Sequence, residues 1–436
     1  MRPTAYAAPM AFPLPNPIHQ LSTLPNGVRV LCFVLPNAAT ASVSVFVRTG
    51  SAHEPARDNG ISHVVEHMVF KGTRERDRRR INLDAERLGA EVNAHTDKDH
   101  TAFHLCGLPQ HAPSFVHMLG DLVQHPTFPD DELERERQVL LSEYAEDEDD
   151  ALSTAFKLFD KACFGLHPFG RPVIGTRQHI ERFTRHDLAE HVRTQYTAGN
   201  VIVAAAGPLR PADIVDAARQ AFGGLPVGTD NLVEPARYLG GIASRHVPGT
   251  GQAHAVMGFP IPPLAADDAA GTVAAAVLGE GMSSPLMERL REERGLVYYA
   301  ACSADVFDGS GQFVVEASMA PERLDECLAE TAGLIAAHAR RVKPVDLERA
   351  RCQILVRRLR AQDNAARLLE EAALDLFAMG RVRPLAERAA RIESVTADQV
   401  RQAFRRMLAA GPTVAVAGQV GRGVRHRVRA ILDTHF

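Results

Sequence analysis

The chain has 436 residues, of which 45% are hydrophobic and 23% charged, with a formal net charge of −4. That balance describes a soluble globular protein and leaves no basic footprint for nucleic acid. No run approaches the roughly 18 consecutive apolar residues of a membrane span, so no membrane partner is expected.

Residues 1–20 hold five prolines and one arginine but no continuous apolar core, which makes a poor secretory signal. Six cysteines, Cys32, Cys106, Cys163, Cys302, Cys327 and Cys352, form no Cys-x-x-Cys pair. Most read as small core residues of a protein in a reducing compartment, and a cytoplasmic location is the expectation. Residues 28–35 and 41–47 read as strands with a turn at Pro36-Asn37.

His63-Val64-Val65-Glu66-His67 places two imidazoles and a carboxylate on one face of a helix, because positions i, i+3 and i+4 fall within about a 100° arc. Zinc takes neutral imidazole nitrogens, and a catalytic zinc keeps a position for water that a nearby carboxylate can deprotonate. Two histidines leave the metal short of a ligand, so an acid must come from elsewhere. His95, His100 and His104 follow at i, i+5 and i+9. That spacing does not put all three on one strand face, and they read as surface or lining residues.

Residues 113–123 read as a helix, and so does the run from Asp130 to Asp150, where Leu133, Val139, Leu140 and Tyr144 recur at roughly helical intervals. Glu136 and Glu143 lie two turns apart on the same stripe, whereas Glu132, Glu146, Asp147, Glu148, Asp149 and Asp150 read as a solvated acidic face. The third ligand is to be sought in this run.

Length alone suggests about three domains, but an internal repeat argues for two. Thr184 opens a helix through residues 188–196 that precedes an apolar strand at 201–206 and Gly207; Thr396 does the same before residues 413–417 and Gly418. Both openings read as a threonine N-cap with an acid or amide three residues on. The offsets are 396 − 184 = 212 and 418 − 207 = 211, and Pro109 recurs as Pro321. Shifting the histidine motif by 212 lands on Ala275, Leu278 and Gly279, none of them a ligand, so one metal per chain is expected, from the first half. Residues 223–231 and Gly240-Gly241 read as the linker, which gives a first domain over 20–225 and a homologous second over 240–436. Residues 324–337 read as one of its helices. Strands and helices mixed without strict alternation imply an α+β fold, each domain a mainly antiparallel sheet against helices.

The residues flanking the motif, Asn59-Gly60-Ile61-Ser62 and Met68-Val69-Phe70-Lys71-Gly72-Thr73, complete a segment that resembles the inverted zinc motif of the pitrilysin family, in its two-domain branch with the mitochondrial processing peptidase and bacterial relatives. In that family the third ligand is a glutamate some 76 residues beyond the second histidine, and 143 − 67 = 76. The resemblance implies His63, His67 and Glu143 as ligands of one Zn2+, Glu66 as general base and Glu136 as the group supporting a ligand. Leu290 to Tyr298 is similar to the segment whose arginine and tyrosine grip the substrate and its oxyanion, implying those roles for Arg291 and Tyr298. Asn93, Ala94, His95 and Thr96 lie in a stretch resembling the edge strand that pairs with extended peptide.

The function so implied is that of a zinc-dependent endopeptidase acting on peptides or unfolded segments. Larger relatives place the zinc in the first of four domains and the Arg/Tyr pair in the fourth, which implies a homodimer here with each site completed in trans, or pairing with a related subunit. Two alternatives stand beside it: a non-catalytic assembly subunit of the same fold, and a metal-dependent hydrolase of non-peptide substrates.

Overall fold

The computed structural model describes residues 17–436; most of the segment read as a poor secretory signal lies outside the described residues. The first sheet holds β1 (His19–Thr23), β2 (Arg29–Val34), β3 (Ala41–Val47), β4 (Glu91–Thr96), β5 (Thr101–Gly107) and β6 (Val201–Gly207), in the order β1-β2-β6-β3-β5-β4. The second holds β7 (Gly241–His246), β8 (Ala253–Pro260), β9 (Val297–Val306), β10 (Gly311–Met319) and β11 (Thr413–Gly418), in the order β7-β11-β8-β10-β9. Among the described strands, β2 with β6 and β7 with β11 pair in parallel and the other neighbours are antiparallel. The fold is α+β in two similar halves.

The repeat holds at the level of single elements. From β2 to β7 the shift is 241 − 29 = 212, from β3 to β8 it is 253 − 41 = 212, and from β6 to β11 it is 413 − 201 = 212. The helices Ala112–Gln124 and Leu324–Arg340 are again 212 apart, as are Arg185–Gln195 and Ala397–Ala410. Both of the last pair begin with a reciprocal capping box, Thr184 with Asp187 and Thr396 with Gln399, which satisfies two of the orphan N–H groups of each helix start.

Neither half keeps to itself. Strand β3 alternates between two apolar environments, with Val43, Val45 and Val47 in the main first-half core and Phe46 on the opposite face. That opposite face is covered by the helix Ala365–Met379 from the second half, through Leu368, Leu369, Ala372, Leu376 and Phe377. The exchange is mutual: the first-half helix Ala151–Phe164 covers the second sheet, packing Ala155, Phe159 and Cys163 against Val256, Val314 and Ala415. Gly258 makes room for it, since a Cβ there would lie 2.6 Å from Phe159 Cζ. The irregular segment 223–240 joins the halves, but the hydrophobic cores do not divide at that point.

Several local expectations change in the folded chain. Val139 is about half exposed, so the stripe facing the core along Asp130–Asp149 is Leu133, Glu136 and Leu140. Asp147 and Glu148 are ion-paired rather than free in solvent, with Lys157 at 2.7 and 2.5 Å, and Glu148 also meets Arg245 at 2.7 Å. Of the cysteines, Cys32, Cys163 and Cys327 are buried, Cys302 is partly buried, and Cys106 and Cys352 are exposed. No described helix is long and apolar enough to cross a membrane.

Candidate functional site

The motif forms a short helix, Ile61–Met68, whose sequence divides cleanly between two faces. Ile61, Val64, Val65 and Met68 are buried in the core, leaving His63, Glu66 and His67 together on the other side. The helix starts at Gly60, which is left-handed with φ 97°. A side chain there is doubly disfavoured, because a Cβ would come within 2.8 Å of Gly175 Cα.

No serine or threonine caps this start. Buried Glu54 does so instead: its carboxylate accepts from Gly60 N at 2.7 Å, Ser62 N at 2.8 Å and Asn59 Nδ2 at 3.0 Å. An anion at a helix N-terminus is favoured by the orphan N–H groups and the dipole together. Burial nonetheless pushes the Glu54 carboxyl up against these hydrogen bonds. Sequence reasoning missed Glu54, since it stands six residues ahead of the residue it caps and outside the usual cap spacing.

Glu143, the expected third ligand, arrives on the 20-residue helix Asp130–Asp149, packed beside the motif helix. Glu143 Oε1 lies 3.5 Å from His63 Nε2, and Glu143 Oε2 lies 3.5 Å from His67 Nε2. Ligand atoms from all three residues fall within 4.8 Å of one another. Tetrahedral zinc, with bonds of about 2.0–2.1 Å to nitrogen and oxygen, holds its ligand atoms about 3.3 Å apart. The two carboxylate–imidazole separations of 3.5 Å lie close to such edges, so the three residues fit the metal. Burial works against protonation of His63, but Glu143, with Glu66 and Glu54 beyond it, holds its proton affinity above the ordinary value. The contact with His63 in turn holds the Glu143 carboxyl low against burial. The cluster attracts positive charge.

Glu136, one buried step back along the same helix, bonds His67 Nδ1 at 2.9 Å and meets Lys71 Nζ at 2.5 Å. Burial would raise its carboxyl, but His67 and Lys71 together bring it below the ordinary range. By accepting at Nδ1 it leaves Nε2 of His67 free for a metal and fixes the ring, as supporting carboxylates do in metal sites. Lys71 is a second member that the motif alone did not single out.

Strand β4 is the outermost strand of the first sheet, so one of its edges is unpaired. Asn93, Ala94, His95 and Thr96 lie on it, and Thr96 reaches the motif helix: its Oγ1 donates to Glu66 Oε2 at 2.6 Å. The Ala94 N–H is met by its neighbour's side chain, Asn93 Oδ1, at 2.8 Å. The histidines behave differently from the expectation. Strand pairing folds β5 back on β4, setting Asn93 opposite His104 and His95 opposite Ala102, so spacing along one strand was the wrong measure. His100 is buried rather than at the surface, and Glu370 from the second half joins His95 and His100.

Arg291 and Tyr298 are exposed, and no hydrogen bond or ion pair among the described residues connects either to His63, His67 or Glu143. Arg291 meets Glu292 at 3.9 Å; Tyr298 stands at the start of β9, the outermost strand of the second sheet, with 65% of its surface in solvent.

Residues 29–177 match the family described as insulinase (peptidase family M16), and residues 182–354 match the peptidase M16 inactive domain. An uncharacterized zinc protease of Mycobacterium bovis is 32% identical over 428 residues, covering 94% of this chain and 96% of its own length. A probable mitochondrial-processing peptidase subunit beta of Arabidopsis thaliana is 28% identical over 404 residues, covering 89% and 76%. The fold recurs in a protease from Helicobacter pylori at a TM-score of 0.82 and 19% identity, over 92% of this chain and 99% of that one. With its extent, its two matched segments and its relatives named as zinc proteases, the chain belongs to peptidase family M16.

Proposed function

We propose that the protein is a zinc endopeptidase for peptides and unfolded segments, with His63, His67 and Glu143 as ligands of one catalytic zinc and Glu66 as the general base. The observation that carries this reading is the convergence of two imidazole Nε2 atoms and one carboxylate at tetrahedral-edge distances, beside a glutamate that is not among the ligands. When bound, zinc supplies Lewis acidity and lowers the pKa of water toward neutrality.

The side chains do the rest. Glu66 takes the proton of the attacking water and returns it to the leaving amine, a role in which orientation matters as much as basicity. Thr96 supplies that orientation by donating to Glu66 Oε2, which couples the base to the strand that would hold substrate. The free edge of β4 at Asn93, Ala94, His95 and Thr96 offers backbone groups to an extended chain with little regard to its side chains. Glu136 keeps His67 in its metal-binding tautomer.

Arg291 and Tyr298 bring a fixed cation and a phenolic donor suited to an oxyanion. Their exposure and lack of polar contact with the ligand cluster favour a homodimer in which one protomer supplies the zinc ligands and Glu66 while its partner supplies Arg291 and Tyr298. A paired related subunit would serve equally. We place the working enzyme in a reducing cytoplasm, in keeping with six unpaired cysteines.

Incubation with a mixed peptide library, with and without a chelator, tests the reading. Cleavage that stops on chelation and returns with zinc is expected. An intact library under both conditions rejects the peptidase in favour of an assembly subunit, and chelator-sensitive hydrolysis of esters or phosphates alone favours the non-peptide hydrolase.

A further inference from the structure

A second trio of metal-binding side chains lies on the far side of the substrate-edge hairpin. His95 Nε2 is 3.3 Å and His100 Nε2 is 3.4 Å from Glu370 Oε1. As in the first cluster, all three ligand atoms fall within 4.8 Å of one another. Both Nε2 atoms are nevertheless buried without a hydrogen-bond partner, because neither ring directs an N–H at that oxygen. Contacts of this length that fail as hydrogen bonds have the spacing of ligands around a common ion, about 3.3 Å for tetrahedral zinc.

The surroundings repeat the construction around His67. His100 Nδ1 bonds Asp99 Oδ1 at 2.9 Å, and Asp99 Oδ2 accepts from Asp308 N at 3.1 Å. With Nδ1 engaged by a buried carboxylate, Nε2 keeps its lone pair for a metal, the arrangement that supports metal-bound histidine. A shared-proton cluster is the competing account, but it calls for an N–H aimed at the carboxylate, and leaving two buried imidazole nitrogens unpaired is costly. The ring of His104 lies 5.9 Å from that of His95.

The three ligands come from β4, from the turn after it, and from the helix Ala365–Met379 that crosses over from the second half. The fold does not require them: a shift of 212 turns His95 and His100 into Phe307 and Gln312, and the position matching Glu370 in the first-half helix is Leu158. We propose that His95, His100 and Glu370 bind a second divalent transition-metal ion, of the zinc class, that fastens the crossing helix to the substrate-edge strand. Two imidazoles and a carboxylate suit zinc over calcium or magnesium, which take oxygen ligands. Loading of this site would set the position of β4 and, through Thr96, of Glu66.

The test is zinc titration of the metal-stripped full-length protein against a chromophoric chelator. The parent should bind two equivalents, Glu143→Gln one and Glu370→Gln one, with the double variant binding neither. His95→Gln, at a partly exposed position, is the second probe of the same equivalent and guards against a folding defect in Glu370→Gln, which circular dichroism checks. Zinc should also raise the melting midpoint of Glu143→Gln and lose that effect when Glu370→Gln is added. The outcomes separate the two sites. If Glu370→Gln and His95→Gln each hold as much zinc as the parent, the second site is refuted whatever the first one does. If instead Glu143→Gln keeps two equivalents while Glu370→Gln keeps one, the second site stands and the assignment of Glu143 fails.

Discussion

The helices Ile61–Met68 and Ala269–Gly279 occupy matching places beside two sheets whose strand order is the same apart from the extra β1 of the first, yet one carries two histidines and a glutamate where the other carries Ala275, Gly279 and Leu278. The proposed third ligand follows suit: Glu143 has buried Leu355 as its counterpart. The second half has closed the space that the first keeps open. A Cβ on Gly279 would meet Cys302 Cβ at 2.3 Å, so a histidine there has no room. What the comparison teaches is that the backbone frame and the residues set on it are separable, since one copy keeps the histidines and glutamates of the proposed site and the other keeps only the frame.

The largest expected effect concerns the base. Glu66→Gln should lower peptide cleavage by roughly 10²- to 10⁴-fold, the usual worth of a positioned acid–base group, while metal analysis finds zinc retained. Cleavage at the parent rate would remove Glu66 from the mechanism. Glu143→Gln should lose the metal at the His63/His67 site and the activity with it, since a neutral amide is a poor ligand. An active Glu143→Gln chain would place the third ligand elsewhere and undo the contrast with Leu355.

The two halves can also be set against each other across protomers. Mixing a Glu66→Gln chain with an Arg291→Ala/Tyr298→Phe chain should restore roughly a quarter of parental activity, because half of randomly formed dimers contain one site of two with all wild-type parts. If the subunits exchange and the mixture stays as inactive as its components, completion in trans is wrong.

The crossing helices offer a stability test. Leu376→Ala, in the second half by sequence, should cost about 2–5 kcal/mol through loss of packing under the first sheet. Hydrogen exchange should then speed up in β3 and β6, which that helix covers. If protection is lost only in the second sheet, the exchange of helices does not stabilise the fold as described. Smallest of all, Ala94→Pro removes an N–H that strand β5 does not use. A fall of roughly 2- to 10-fold in kcat/KM, the worth of one hydrogen bond, is expected with zinc content unchanged. An unaffected kcat/KM removes β4 from substrate binding.

Much of this was legible in the sequence because the signals are local. Helical spacing alone puts His63, Glu66 and His67 on one face opposite Ile61, Val64, Val65 and Met68, and the folded helix divides that way. Threonine with an acid or amide three residues on announced both capping boxes. The 212-residue offset proved to be the repeat of whole strands and helices. Glu143 was different in kind: helical periodicity offered a run of acids, and only the resemblance picked one.

What tertiary structure alone decided involves partners distant in the chain. The helix Ala365–Met379 reads as an ordinary amphipathic helix, and nothing in its own residues says that its apolar face belongs to the other half's sheet. Glu54 takes a capping role because a loop carries it under the helix start. Spacing along a single strand does not join His95 to His100, whereas the turn after β4 and a helix some 270 residues later bring them to Glu370. Periodicity fixes which face of an element is apolar or bears ligands; which surface that face meets depends on the packing of the whole chain.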